Sequence, residues 1–235
     1  MPEVSIEDLS QQSADNSLKM QWRLIRKLFL RKDDFESLSA LEWFIMLFFS
    51  FTKLLFPGFY IRWYFNKKGG YNLRNQAIEI YVCIKLSIIV LLLFFGNPHQ
   101  IWVKLLALYF IIDLMEHILG MIFLHKVNRR RVKLTRNLVL MILNIMELVG
   151  SFALLYIGTN SVAFAVGENQ HLSNPVDAYY FSLITFTTVG FGDIIPINAT
   201  GRMLVILEIF SSFLFIAILL SSLVNKLNIH EETHS

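Results

Sequence analysis

The chain reads as an all-α membrane protein, and three observations predict that class. Hydrophobic residues make up 55% of its 235 residues, above the roughly 45–50% usual in soluble domains. Four apolar stretches, Gln76–Gly96, Ile101–Leu124, Leu138–Gly158 and Met203–Leu227, each supply the roughly 20 residues a helix needs to cross the hydrocarbon core. Third, the basic residues gather at one end of those stretches. Lys67, Lys68 and Arg74 precede the first, Lys126–Arg136 joins the second to the third, and Lys226 closes the fourth. Asn97–Gln100 and Thr159–Pro175 carry no Lys or Arg. The positive-inside rule then places both termini of a multi-pass cell-membrane protein in the cytoplasm.

Taken in chain order, residues 1–40 form a cytoplasmic segment whose polar, acidic start shows no cleavable signal peptide. Within it Leu18, Trp22, Ile25 and Phe29 recur at helical spacing, with Lys19, Arg23, Arg26 and Lys27 off that face. The pattern predicts an amphipathic helix, lying on the inner leaflet or packed against a neighbouring subunit. Residues 41–75 are harder to place. Leu41–Phe65 is apolar enough to span, but Lys53, Pro57-Gly58 and Arg62 interrupt it and basic residues flank both sides. A fifth span would put one basic flank outside, so an interfacial or half-inserted hairpin is expected. Residues 76–133 then make a two-helix membrane domain, and 134–235 a second region with two spans. The single cysteine, Cys83, excludes an intrachain disulfide.

Charges at membrane depth are costly and are usually paired or functional. Lys85 lies eleven residues inward of Gly96, and Asp113 twelve inward of Ile101. At about 1.5 Å per residue both sit roughly 17 Å deep, which suggests a Lys85–Asp113 ion pair tying the two helices. Glu79, Glu116 and His117 form a second layer nearer the cytoplasm, and Glu147 of the third span is near the midplane. These groups are read as packing charges, as a gating or proton-sensing layer, since histidine titrates near physiological pH, or as a metal or catalytic site. The last is disfavoured because Glu116 and His117, consecutive on a helix, diverge by about 100°. Arg129, Arg130, Arg131, Lys133 and Arg136 are contiguous at a boundary, unlike the every-third-residue arginines of a voltage sensor. They fit headgroup anchoring, or regulation, by anionic lipid. No nucleic-acid partner is expected.

The densest signal lies between the last two spans: Thr187-Thr188-Val189-Gly190-Phe191-Gly192-Asp193. A dehydrated cation needs oxygens all round it, and successive backbone carbonyls supply them only if they face one way. An ordinary strand alternates its carbonyls, so positive φ is needed at intervals, and glycine reaches it without steric cost. Gly190 and Gly192 are spaced for this, with Val189 and Phe191 turning their side chains back into the protein. Pro175 can open a helix, so Val176 to about Thr187 makes roughly three turns before the motif. Beyond Asp193, Ile194-Ile195-Pro196 leads to Thr200-Gly201-Arg202 and the last apolar helix, with Thr200 as its cap.

In that order these features resemble the potassium channels with a two-helix pore, over about Leu134 to Asn225, some two fifths of the chain. The resemblance implies a homotetramer in which Thr188, Val189, Gly190, Phe191 and Gly192 form the selectivity filter and permeant K+ is the only ion required. It implies filter support from Thr187, Asp193, Tyr180 and Ile184, and no enzymatic chemistry. Two departures stand out. Phe191 replaces the commoner tyrosine, and Ile184 stands where some relatives carry a glutamate bonded to the filter aspartate. Asp193 therefore needs another partner: water, Tyr180 or a neighbouring subunit. Glu208 is either bonded to the back of the pore helix or a cavity-facing acid. Ser212 falls at the usual hinge glycine, where Ser211-Ser212 back-bonding would bend the helix. Phe213, Ile216 and Leu220 join it as the expected pore lining and apolar gate. The expected function is passive, potassium-selective conduction without a voltage sensor; the alternatives are a nonselective cation channel and a non-conducting channel-like subunit.

Overall fold

A computed structural model of the chain describes residues 56–123, 134–166 and 172–232, with positions 44, 45, 47, 48 and 52 before them. The elements are α1 (Pro57–Phe95), α2 (Ile101–Phe123), α3 (Leu134–Gly158), β1 (Val162–Phe164), α4 (Pro175–Phe186), β2 (Ile194–Pro196) and α5 (Ala199–Glu232). The expected helix Leu18–Arg31 and the basic residues Arg129, Arg130, Arg131 and Lys133 lie outside the described residues.

α1 differs from expectation. It begins at Pro57 and runs unbroken for 39 residues, so residues 57–75 continue into the expected span, while most of 41–55 lies outside the described residues. Proline fits the first turn of a helix, where its missing N–H is not needed, so Pro57 starts the helix. Among the described residues, three helical segments are long and apolar enough to cross a membrane: Leu73–Phe95, Leu138–Gly158 and Ala199–Ala217. The expected span Ile101–Leu124 is not among them. Its helix α2 has 23 residues, about 35 Å at 1.5 Å each, but it carries Lys104, Asp113 and Glu116.

The chain divides into two compact units: residues 1–84 with 119–140, and residues 85–118 with 141–235. In the first, Arg136 Nε donates to Glu79 Oε1 at 2.6 Å and its terminal amine to the Asn75 carbonyl at 3.2 Å. Arg136 of the basic boundary segment is thus paired with Glu79 of α1.

The second unit holds a hydrophobic core. Ile89 and Leu93 of α1, Val103, Ala107, Phe110 and Leu114 of α2, Leu148, Phe152 and Tyr156 of α3, Phe181 and Ile184 of α4, and Phe215 of α5 are buried in it. Helices approach closely in lipid where a small residue lets them. A Cβ placed on Gly150 would fall 2.6 Å from Ile89 Cγ2, so α1 and α3 touch there because that position carries no side chain.

α3 ends by the left-handed route. Asn160, at φ +48°, is of a type that tolerates this region, and Ser161 N reaches back to the Tyr156 carbonyl at 3.3 Å. The chain then enters β1, which pairs antiparallel with β2, Ala163 opposite Ile195. The sequence reading contained no strands; three-residue strands are too short to show alternation. They tie the end of α3 to the segment that leads into α5. Asn198 rather than Thr200 caps α5: its Oδ1 accepts from Gly201 N at 2.8 Å, the usual bond from N-cap to third helical residue.

Candidate functional site

The site is built on α4, the twelve residues Pro175–Phe186. Asn174 caps it by accepting from Val176 N at 3.1 Å, and Pro175 takes the first position. At the other end the Thr187 hydroxyl donates to the Leu183 carbonyl at 2.8 Å. The chain then folds back on the helix end, with Thr188 N donating to Thr185 O at 3.0 Å and Val189 N to Ile184 O at 2.9 Å. Gly190 N shares that acceptor at 3.3 Å. Ile184 thus supports the motif through its carbonyl, while its side chain is in the core.

From there φ is positive at every second residue: Thr188 at +57°, Gly190 at +54° and Gly192 at +81°. This alternation is the backbone condition under which successive carbonyls face one side. The two glycines were visible in the sequence; Thr188 was not, because a β-branched residue in this region is a true outlier. The side chains differ from expectation. Val189 is 54% and Phe191 70% exposed, so within one chain neither turns back into the protein.

Asp193 finds its partner within the subunit. The Tyr180 hydroxyl of α4 donates to Asp193 Oδ2 at 2.9 Å, and the Asp193 carbonyl accepts from Ala165 N at 2.8 Å. The hydrogen bond to the aspartate carboxylate is the main cause holding the Tyr180 hydroxyl above its ordinary value of 10.0.

Behind α4 sits Glu208, fully buried. Tyr156 of α3 donates to its Oε2 at 2.7 Å, and Ser182 of α4 bonds its Oε1. Ser182 also lies 2.9 Å from the Val149 carbonyl. Glu208 therefore joins α3, α4 and α5 and does not face a cavity. Tyr156 and Ser182 were not singled out from sequence; a small hydroxyl among the apolar residues of α4 was the available signal for Ser182.

On α5, Ser211 and Ser212 donate to the carbonyls of Leu207 and Ile209, each at 2.7 Å. Ser212 is fully buried, which removes it from the expected pore lining: its hydroxyl satisfies the helix backbone. Phe213 and Ile216 are 59% and 44% exposed. Leu220 is helical, and its side chain lies outside the described residues.

Of the intramembrane charges, the structure brings Lys85, Asp113 and Glu147 together. The Lys85 ammonium is 2.7 Å from Asp113 Oδ2 and 2.7 Å from Glu147 Oε1. Glu116 and His117 lie one turn further along α2. Among the described residues no group of histidine, cysteine or acidic side chains is arranged to hold a metal ion, against the metal reading of Asp113, Glu116, His117 and Glu147.

Residues 145–228 match the family model described as "Ion channel". Among similar proteins, a potassium channel K2 of Plasmodium berghei (strain Anka) is 40% identical over 63 residues, 27% of this chain and 4% of that one. Two-pore potassium channel 4 of Arabidopsis thaliana is 44% identical over 50 residues, 21% of this chain and 18% of its own. A hyperpolarization-activated voltage-gated potassium channel of Methanocaldococcus jannaschii is 44% identical over 57 residues, 24% and 26% of the two chains. The chain thus spans at most about a quarter of these relatives. No solved structure matches significantly.

Proposed function

We propose that this chain is a multi-pass membrane protein with an ion-channel pore like that of the potassium channels it is similar to, and that it conducts K+ passively and selectively as a homotetramer. The observation that carries the reading is the alternation of positive φ at Thr188, Gly190 and Gly192 directly after a capped helix. Four such strands around an axis would replace the hydration shell of K+ with carbonyls of Thr188, Val189, Gly190 and Phe191. The exposed Val189 and Phe191 side chains supply surface for the neighbouring subunits to cover.

The pore region is 134–235, preceded by the membrane helices of 76–133. Tyr180, Thr187, Asp193 and the Ile184 carbonyl brace the filter, and Phe213, Ile216 and Leu220 line the inner path. Both termini are cytoplasmic in a cell membrane. Arg129, Arg130, Arg131 and Lys133 contact anionic lipid there, each contributing about 1 kcal/mol near the surface. Because they are contiguous, they do not form a voltage sensor.

The test is the bilayer reversal potential of the purified protein with K+ on one side and Na+ on the other. A value near the potassium equilibrium potential is expected. A value near zero would mean a nonselective pore and would direct attention to Phe191.

A further inference from the structure

Three helices converge on a charged cluster that ion passage through the filter does not use. Lys85 of α1, Asp113 of α2 and Glu147 of α3 are 5%, 7% and 0% exposed. The lysine donates a well-aligned hydrogen bond to Asp113 Oδ2 at 2.7 Å. Its ammonium is equally close to Glu147 Oε1, at 2.7 Å. Among the described residues neither carboxyl oxygen of Glu147 accepts a hydrogen bond. One ammonium is therefore shared by two acids, and the acid left without a hydrogen bond is the more enclosed of the two.

A buried carboxylate keeps its charge only when it is both paired and hydrogen-bonded. Where that support is missing, the group takes up a proton and becomes neutral. A metal cation does not fit this cluster, because the Lys85 ammonium already occupies the place between the two acids. We infer that Lys85, Asp113 and Glu147 form a proton-binding site, with the proton on Glu147 Oε2, and that this site fastens α1 and α2 to the outer helix of the pore.

With the proton in place, Lys85 and Asp113 cancel and Glu147 is neutral. Loss of the proton to water leaves one uncompensated negative charge at a position sealed from solvent. The other titratable groups on these helices include Glu79, Tyr81 and Cys83 of α1, Lys104, Tyr109, Glu116 and His117 of α2, Arg136 and Tyr156 of α3, Asp177, Tyr179 and Tyr180 of α4, and Arg202 and Glu208 of α5. Glu208 is held by Tyr156 and Ser182, and the Phe110 ring covers the ammonium at 5.9 Å. The folded protein holds the Glu147 proton, and the unfolded chain, with an ordinary exposed carboxyl, releases it at neutral pH. Rising pH therefore disfavours the fastened state. α3 continues through Gly158 and Asn160 to β1, which pairs with β2, the strand that follows Asp193.

Infrared difference spectra of the full chain in lipid nanodiscs test this without any current being measured, so the site stands or falls separately from conduction. At neutral pH, wild type minus Glu147→Gln should show the carbonyl band of a protonated carboxyl, and so should wild type minus Asp113→Asn. Removal of the Asp113 charge leaves Lys85 to pair with Glu147, 2.7 Å away, which then ionises. Raising the pH should remove the band and lower the melting temperature of wild type together, while Glu147→Gln melts independently of pH over that range. A spectrum unchanged by Glu147→Gln would overturn the inference, and so would retention of the band in Asp113→Asn. Failure of Glu147→Gln to fold would overturn it too, since an amide has the shape of the neutral acid and should replace it.

Discussion

At the scale of single residues, the proposed filter rests on three backbone angles. A non-glycine residue in the left-handed region costs about 1–2 kcal/mol, and Thr188 bears this at φ +57°. Strain of that kind persists only where its surroundings enforce it, and here Thr185 O and Ile184 O hold the amides on either side of the turn. Gly190 needs no such enforcement, and the space where its Cβ would stand is open. Gly190→Ala should therefore fold and assemble, at a local cost of about 1–2 kcal/mol, but lose selective current. Reversal potential and native mass measured on one preparation check this; a potassium-selective Gly190→Ala channel would sink the carbonyl-ring reading. The glycines were legible in the sequence because only glycine reaches this region freely. Thr188 was not, because its angle is imposed by the end of α4 and not by its own preference. Tyr180 was legible only as one of three candidate partners for Asp193; the distance of 2.9 Å selects it.

Among the elements, the helices were the legible part and their joints were not. Apolar length marked α1, α3 and α5, and Pro175 marked the start of α4. The bonds that join them run between residues far apart in sequence: Glu208 meets Tyr156, 52 residues earlier, and Ser182, 26 residues earlier. No local pattern carries such a pairing. Arg136 illustrates the same limit. It looked like one more member of a basic cluster, yet it reaches Glu79, 57 residues away. The Glu208 joint can be measured. Removing one partner of a buried polar group costs about 1–3 kcal/mol, so Ser182→Ala and Tyr156→Phe should each lower unfolding stability by that order. Because both hydroxyls serve one carboxyl, the double variant should depart from the sum of the singles. Costs additive within about 0.5 kcal/mol would mean that the two bonds act independently, and Glu208 would then not act as a single joint between α3, α4 and α5.

For the whole molecule, the question is what surrounds the filter. Val189, Phe191, Phe210 and Phe213 are each more than half exposed in one chain, in a segment where Asp193 and the helix ends are fully engaged. Four copies of the 27.3 kDa chain about the filter axis would place K+ where only the assembled state can bind it. Linkage then fixes a consequence that sequence and single-chain geometry do not state. A ligand that binds the native assembly and not the unfolded chain stabilises it by RT ln(1 + [L]/Kd), about 2.7 kcal/mol when present at 100 times its dissociation constant. Na+ is smaller and fits a potassium-sized ring of oxygens less well, so it should stabilise less at equal concentration. The tetramer should consequently melt at a higher temperature in K+ than in Na+ at matched ionic strength, and the difference should grow with K+ concentration. Gly190→Ala, which spoils the ring but not the fold, should melt alike in both salts. Heating the assembled protein while following its native mass measures both. Equal melting of wild type in the two ions would remove K+ from the filter and with it the case for a selective pore, whereas a difference that survives Gly190→Ala would place the ion somewhere other than between Thr188 and Phe191.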